Sequence, residues 1–207
     1  MNLGFRRTPA TRILMILIII VFAVEVLMNG LDNENVLIAM GAIVHGTLQN
    51  GQYWRLVAAM FLHVGWLHVA LNLWALYQLG SLYEAMFGTG RFVFIYFATG
   101  IVASVASAMH VQGASAGASG AIFGILGAFI FSIRRSPVWR REAWTRGLMK
   151  QLIFWAVVNL VIGYRVPQID NWAHMGGMVS GLLLGLLPHR VPPPPPREAV
   201  IDTTPTV

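Results

Sequence analysis

The chain has no cysteine, so disulfides and thiolate metal sites are excluded, and cysteine usage says nothing about the redox compartment. Charge is the second scarcity. Only 11% of the 207 residues are Asp, Glu, Lys or Arg, against roughly a quarter in an ordinary soluble domain. That is too little charge to cover a water-facing surface. With 57% hydrophobic residues and a mean hydropathy of +0.66, most of the surface must face lipid. The net charge is +6, but the basic residues fall between apolar segments. They form no patch interleaved with aromatics, so nucleic acid is not an expected partner. A signal-peptide cleavage site is missing as well. Arg6, Arg7 and Arg12 precede the apolar run from Ile13 to Met28, which is long and has no small-residue site after it. It reads as a retained signal anchor, that is, a first transmembrane helix.

What the sequence does have is apolar stretches of spanning length, at 11–28, 57–79, 92–111, 118–134, 149–164 and 171–188, judged against the ~20 residues a helix needs. They predict an all-α polytopic bundle of six transmembrane helices over residues 11–188. A short segment precedes it at 1–10 and a proline-rich tail follows at 189–207. Glu25 interrupts the first span near its far end and is expected at the interface. The tail contains Pro192 to Pro196, a run that cannot make helix hydrogen bonds and favours polyproline II. It reads as disordered, with docking to a proline-binding module as the alternative.

Basic residues set the orientation. Arg6, Arg7, Arg12, Arg91, Arg134, Arg135, Arg140, Arg141, Arg146, Lys150, Arg190 and Arg197 fall at the two ends and in alternate connections. The other connections hold only Arg55 and Arg165. Both termini are therefore expected in the cytoplasm, with the 29–55, 111–117 and 165–170 loops outside. A bacterial or archaeal cytoplasmic membrane fits this compact topology.

Polar residues are few at membrane depth, which makes Ser119 and His174 conspicuous. Nucleophilic and ionisable groups there are costly and mark functional sites by default. The fourth span is short, about 15 residues or ~22 Å at 1.5 Å per residue against a ~30 Å hydrocarbon core. With its far end held at the cytoplasmic arginines, Ser119 should sit recessed at a helix N-terminus, in a cavity open to outside water. Free N–H groups and the positive end of the dipole there suit a developing oxyanion. Gly117 and Gly120 permit tight turns and close substrate approach.

Gly113, Gly117, Gly120, Gly124 and Gly127 also suit close helix packing, and the two readings are compatible. His174 opens the sixth span with Gly177, Gly181 and Gly185 following at four-residue spacing. That glycine face would press the sixth helix onto the fourth and bring the imidazole to Ser119 as its base, with Phe123 stacking on the ring. Asp170, four residues before His174, could complete a triad, but N-capping the sixth helix gives it a sufficient role. A Ser–His dyad is preferred. His68 and Asn72 share one helix face and could stabilise an oxyanion. A metal would need His63 and His68 together, a five-residue spacing poor for that purpose and with no carboxylate nearby.

Together these residues resemble the rhomboid intramembrane serine proteases of the six-helix prokaryotic type. The likeness runs from Tyr53-Trp54-Arg55 to Gly185, through His63-x4-His68-x3-Asn72, Gly80-x3-Glu84-x3-Gly88, Gly117-Ala118-Ser119-Gly120 and Ala173-His174-x2-Gly177-x3-Gly181. The resemblance implies Ser119 as nucleophile and His174 as general base. It implies an oxyanion hole made by Asn72, His68 and the Ser119 backbone N–H, with Gly117, Gly120, Phe123 and His63 in support. It places Trp54-Arg55 in a first outer loop lying partly in the membrane, and Glu84 in a structural hydrogen-bond network at the cytoplasmic end of the second helix. Phe123 stands where some members carry tyrosine.

The implied activity is hydrolysis of peptide bonds in or beside transmembrane segments of membrane-protein substrates, near the outer face, without cofactor or metal. The alternatives are a catalytically silent rhomboid-like scaffold that binds transmembrane helices, and a small transporter. The latter is disfavoured because the inner halves of the spans carry no line of polar groups. Substrate identity and oligomeric state are not legible.

Overall fold

A computed structural model describes residues 8–136, 143–166 and 169–188. Arg6, Arg7, Arg140, Arg141, Arg190, Arg197 and the proline run lie outside the described residues. Among those described, the protein is helical with no strand. The helices are α1 Pro9–Leu27, α2 Glu34–Met40, α3 Arg55–Phe61, α4 Trp66–Phe87, α5 Thr89–His110, α6 Ser119–Arg135, α7 Ala143–Arg165 and α8 Asn171–Leu184. The helix α3 tightens to 3-10 geometry at Ala59–Phe61, and α4 holds a π turn at Leu76–Gly80.

Their surfaces show why this chain needs lipid. Ile13, Ile16, Leu17, Ile19 and Ile20 point outward from α1, and Phe154, Trp155, Val157 and Val161 from α7. Exposed apolar side chains on this scale mark a membrane-facing surface. Three helices are long and apolar enough to cross a bilayer, namely Pro9–Leu27, Thr89–His110 and Thr145–Arg165 within α7. A fourth is added if α3 and α4 are one span bent by 95°.

The sequence-based span at 57–79 is thus corrected. Its first third folds aside as α3, and the continuous helix begins at Trp66 and runs to Phe87. Gly65, at φ 107°, makes the corner. At 17 and 14 residues, α6 and α8 would rise only ~26 and ~21 Å. They fall short of spanning length by themselves.

Of these two short helices, α6 is the centre of the molecule and α8 lies directly against it. All of α6 from Gly120 to Ile130 is buried, with α8 on one side and α5 on another. Glycine sets the approach. A Cβ on Gly177 would strike the Gly120 carbonyl, and one on Gly181 the Gly124 carbonyl. On α5, Thr99 occupies the space a side chain at Gly124 would need, and its hydroxyl returns to the Ile95 carbonyl at 2.7 Å. Without a hydrophobic driving force between helices in lipid, such backbone-to-backbone packing is a main source of association.

Polar groups close the ends. The Glu84 carboxylate of α4 accepts from the Ala10 and Thr11 amides at 3.0 and 2.8 Å and from the Thr11 and Thr89 hydroxyls at 2.7 and 2.8 Å. It caps α1, whose first amides have no intrahelical partner, and ties α1, α4 and α5 together. The C-terminal carbonyls of α8 are met by arginines: Arg91 on Leu184 at 3.3 Å and Arg135 on Leu186 at 2.6 Å. Cations belong at that end of a helix dipole.

Candidate active site

The helix α6 starts at Ser119 with no side-chain cap from Ala118, so the Ser119 and Gly120 amides lack intrahelical acceptors. The preceding loop is held from three sides. The Gly117 amide donates to the Ala59 carbonyl at 2.9 Å, Ser115 forms an antiparallel bridge with Ile43, and the Ala114 amide donates to Glu34 at 2.8 Å. These contacts tie the 29–55 loop and α3 to the start of α6.

His174 sits in the first turn of α8, 6% exposed. The glycine seam carries it to α6, where its Nε2 lies 2.9 Å from Ser119 Oγ. Phe123, four residues along α6 from the serine, stacks on the imidazole at 4.3 Å between centroids and 7° between planes. The ring is fixed by packing rather than by a carboxylate. His174 Nδ1 is buried with no hydrogen-bond partner.

Asp170 is engaged elsewhere: Oδ1 accepts from the Ala173 amide at 2.9 Å and Oδ2 from the Ser115 hydroxyl at 2.7 Å. It caps α8 and links it to the loop before Ser119. The Ser115 bond leaves no trace in local sequence patterning, because its partners are 55 residues apart.

On the opposite wall, His68 and Asn72 lie one turn apart on α4. His68 Nδ1 accepts from the Val64 amide at 3.3 Å. A ring nitrogen that accepts carries no proton, so the proton is on Nε2. That donor edge lies against Gly117: a Cβ there would be 3.0 Å from His68 Nε2 and 3.7 Å from Ser119 Oγ. Gly117 also has φ 141°, a backbone that other residues rarely adopt. Glycine is therefore required twice over, by conformation and by the imidazole. Asn72, 5% exposed, spends one amide N–H on the His68 carbonyl at 2.9 Å.

His63 is fully buried in the corner between α3 and α4. Its ring is 5.1 Å from that of His68 and its Nδ1 is 3.2 Å from the Phe61 carbonyl. No group of three or more potential metal ligands occurs among the described residues.

The sequence expects Glu25 near the interface, and the structure shows which way it faces. Its side chain is 0% exposed and accepts from the His63 amide at 3.0 Å. A lone carboxylate in an apolar run carries no sign of which way it faces. The bend at His63, whose amide needs an acceptor, turned it inward.

The arrangement is a hydroxyl on an imidazole at a helix N-terminus, with N–H donors on the facing wall. It can activate an oxygen nucleophile and stabilise an anion formed beside it. Comparison with known proteins points the same way. The family model of the Rhomboid domain matches residues 50–191. The chain is 38% identical over 163 residues to "Rhomboid protease GluP" of Bacillus subtilis, covering 79% of this chain and 31% of that one. It is 37% identical over 150 residues to "RHOMBOID-like protein 1" of Arabidopsis thaliana, 72% and 38% of the two chains. With "Rhomboid-type serine protease 2" of Emericella nidulans the identity is 35% over 143 residues, 68% and 28%. The matched part of this chain is thus only about a third of the length of these relatives.

Proposed function

The chain belongs to the rhomboid family, and from that premise we propose that it is an intramembrane serine endopeptidase working through a Ser119–His174 dyad. The observation that carries the reading is the 2.9 Å approach of His174 Nε2 to Ser119 Oγ at the uncapped start of α6.

In this reading His174 Nε2 takes the hydroxyl proton as Ser119 Oγ attacks the scissile carbonyl. The oxyanion forms beside the Ser119 amide, His68 Nε2–H and the Asn72 amide. Collapse expels the amine, which takes the proton from His174, and leaves an acyl-enzyme that water then hydrolyses. With Asp170 committed to Ala173 and Ser115, the imidazole works without a carboxylate behind it. The chemistry asks for neither cofactor nor metal.

Substrates are transmembrane segments of membrane proteins, cut near the outer face. The catalytic domain spans residues 11–188 and crosses a bacterial or archaeal cytoplasmic membrane six times, with 1–10 and the proline-rich 189–207 on the cytoplasmic side. The short α6 and α8 complete the count: α6 is buried among its neighbours, and α8 packs along α6 and α5 with Val179 and Leu183 exposed on its other face. Their ends meet protein, through the Ser115–Asp170 bond at one end and Arg91 and Arg135 at the other, which relaxes the length requirement.

The test is labelling of detergent-purified protein with a fluorophosphonate probe, together with cleavage of a generic transmembrane substrate. Wild type is expected to label and cleave, and Ser119→Ala and His174→Ala to do neither. A folded wild type that neither labels nor cleaves would turn the reading to a scaffold that binds helices without cutting them.

A further inference from the structure

Glu25 has no part in the chemistry above, yet it is wholly buried in a membrane span, where an ionisable side chain is costly to keep. Its surroundings are specific. Phe22, one turn earlier on α1, meets Trp66 edge-on at 4.9 Å and 83°, so α1 docks against the first residue of α4. From there both Glu25 oxygens reach the His63 amide, at 3.0 and 3.3 Å.

The amides that follow are also engaged. Val64 N–H donates to His68 Nδ1 at 3.3 Å, and Gly65 N–H to the His63 carbonyl at 3.0 Å. The His63 and Val64 amides belong to successive rigid peptide planes that meet at the His63 Cα. With the His63 ring buried against the Phe61 carbonyl and its own carbonyl held by Gly65 N–H, little freedom is left at that joint, so holding the His63 amide limits the direction of the Val64 amide. The Val64 amide in turn holds His68 with Nδ1 as acceptor and Nε2–H against Gly117, beside Ser119.

We propose that Glu25 is a positioning residue for the oxyanion hole: its carboxyl fixes the His63 amide, and through the next amide fixes the orientation and tautomer of His68. This rests on the reading of His68 as an oxyanion donor. A group that merely satisfied one buried amide would matter to folding alone. Placement one amide away from His68 makes Glu25 matter to the chemistry as well.

Two readouts on the full chain in detergent test it, with Glu25→Gln and Glu25→Met made in wild-type and His68→Ala backgrounds. Glu25→Leu replaces the methionine variant if that one does not fold. The first readout needs no activity. With 15N-labelled histidine, the His68 ring signals are identified by their loss in His68→Ala. Wild type and Glu25→Gln, which keeps an acceptor oxygen, are expected to show a protonated Nε2 and an acceptor Nδ1. Glu25→Met is expected to show averaging of the two tautomers, and unchanged His68 signals in that variant overturn the proposal.

The second readout is steady-state cleavage. Removing an oxyanion donor outright costs about 10²–10³ in kcat, and disordering one is expected to cost Glu25→Met about tenfold in kcat, with KM held within about twofold. Glu25→Gln is expected to restore most of the rate. In the His68→Ala background Glu25→Met should change nothing further, because the donor it acts through is gone. A second, independent tenfold loss there overturns the proposal. If wild type itself neither labels nor cleaves, the protease reading fails by that result, and the ring signals alone decide the role of Glu25.

Discussion

Three side chains carry sharp expectations of their own. At Asp170, a triad member converted to asparagine would lose about 10⁴ in kcat by the precedent of serine proteases. Here the carboxylate touches Ala173 and Ser115 instead of His174, so Asp170→Asn should keep kcat within about tenfold when cleavage of the transmembrane substrate is assayed. Asp170→Ala should lower stability by about 1 kcal/mol, the usual worth of an N-cap, read as a lower melting temperature. At Gly117, alanine brings both a disfavoured φ and a Cβ 2.8 Å from the His68 ring. Gly117→Ala should fold and still cut far more slowly, with kcat falling rather than KM rising. Ser119, His174 and His68 stood out in the sequence because polar side chains in apolar runs are conspicuous. Glu25 stands out equally, but its inward orientation does not. Its partner is a backbone amide at a bend, and no residue type announces one.

At the scale of elements, the seam between α6 and α8 is the joint on which the proposed dyad depends. Ser119 and His174 stand on different helices, and their separation is set by how closely those helices approach. Gly181→Ala drives a methyl group into the Gly124 carbonyl. Overpacking of this kind costs typically 1–3 kcal/mol, and it should appear both as a lower melting temperature and as weaker fluorophosphonate labelling. Glu84 offers the contrasting case. Its four hydrogen bonds clasp α1 to α4 and α5 away from the dyad. Glu84→Ala should lose at least about 3 kcal/mol, since even one bond to a charged group is worth roughly 1.5–3 and losing the carboxylate strands several buried donors, while the protein that remains folded labels normally. The four-residue glycine spacing of α8 was readable as a packing face. The bend between α3 and α4 was not, because the run from Val57 to Leu79 is predominantly apolar on both sides of Gly65 and hydropathy carries no record of direction.

For the molecule as a whole, the absence of native cysteine makes topology directly measurable. Single cysteines at Gln112, exposed in the loop before α6, and at Gly90, exposed at the start of α5, lie in connections assigned to opposite sides of the membrane. Gln112→Cys in intact cells should react with an impermeant maleimide, and Gly90→Cys only after permeabilisation. The reverse pattern would overturn the orientation drawn from the arginines. The outer surface also has an order that labelling cannot see. The helix α7 turns most of its apolar residues outward, and α6 turns almost none. Core and lipid-facing helices thus differ by position in the bundle more than by composition.

That distinction separates what the sequence determined from what only folding in three dimensions decided. Scarce charge and long apolar runs commit the chain to a helical membrane protein, because backbone polar groups in lipid are satisfied only in helices or closed barrels, and runs of this length fit helices. The order of polar residues along those runs was enough to recognise the family. Tertiary structure decided which short helix lies at the centre, where α3 breaks from α4, and where Glu25 and the second oxygen of Asp170 find their partners. Each of these depends on a contact between segments tens of residues apart, often through a backbone group that every residue type shares. Local sequence records side chains and spacing. It does not record which distant amide will be left without a partner.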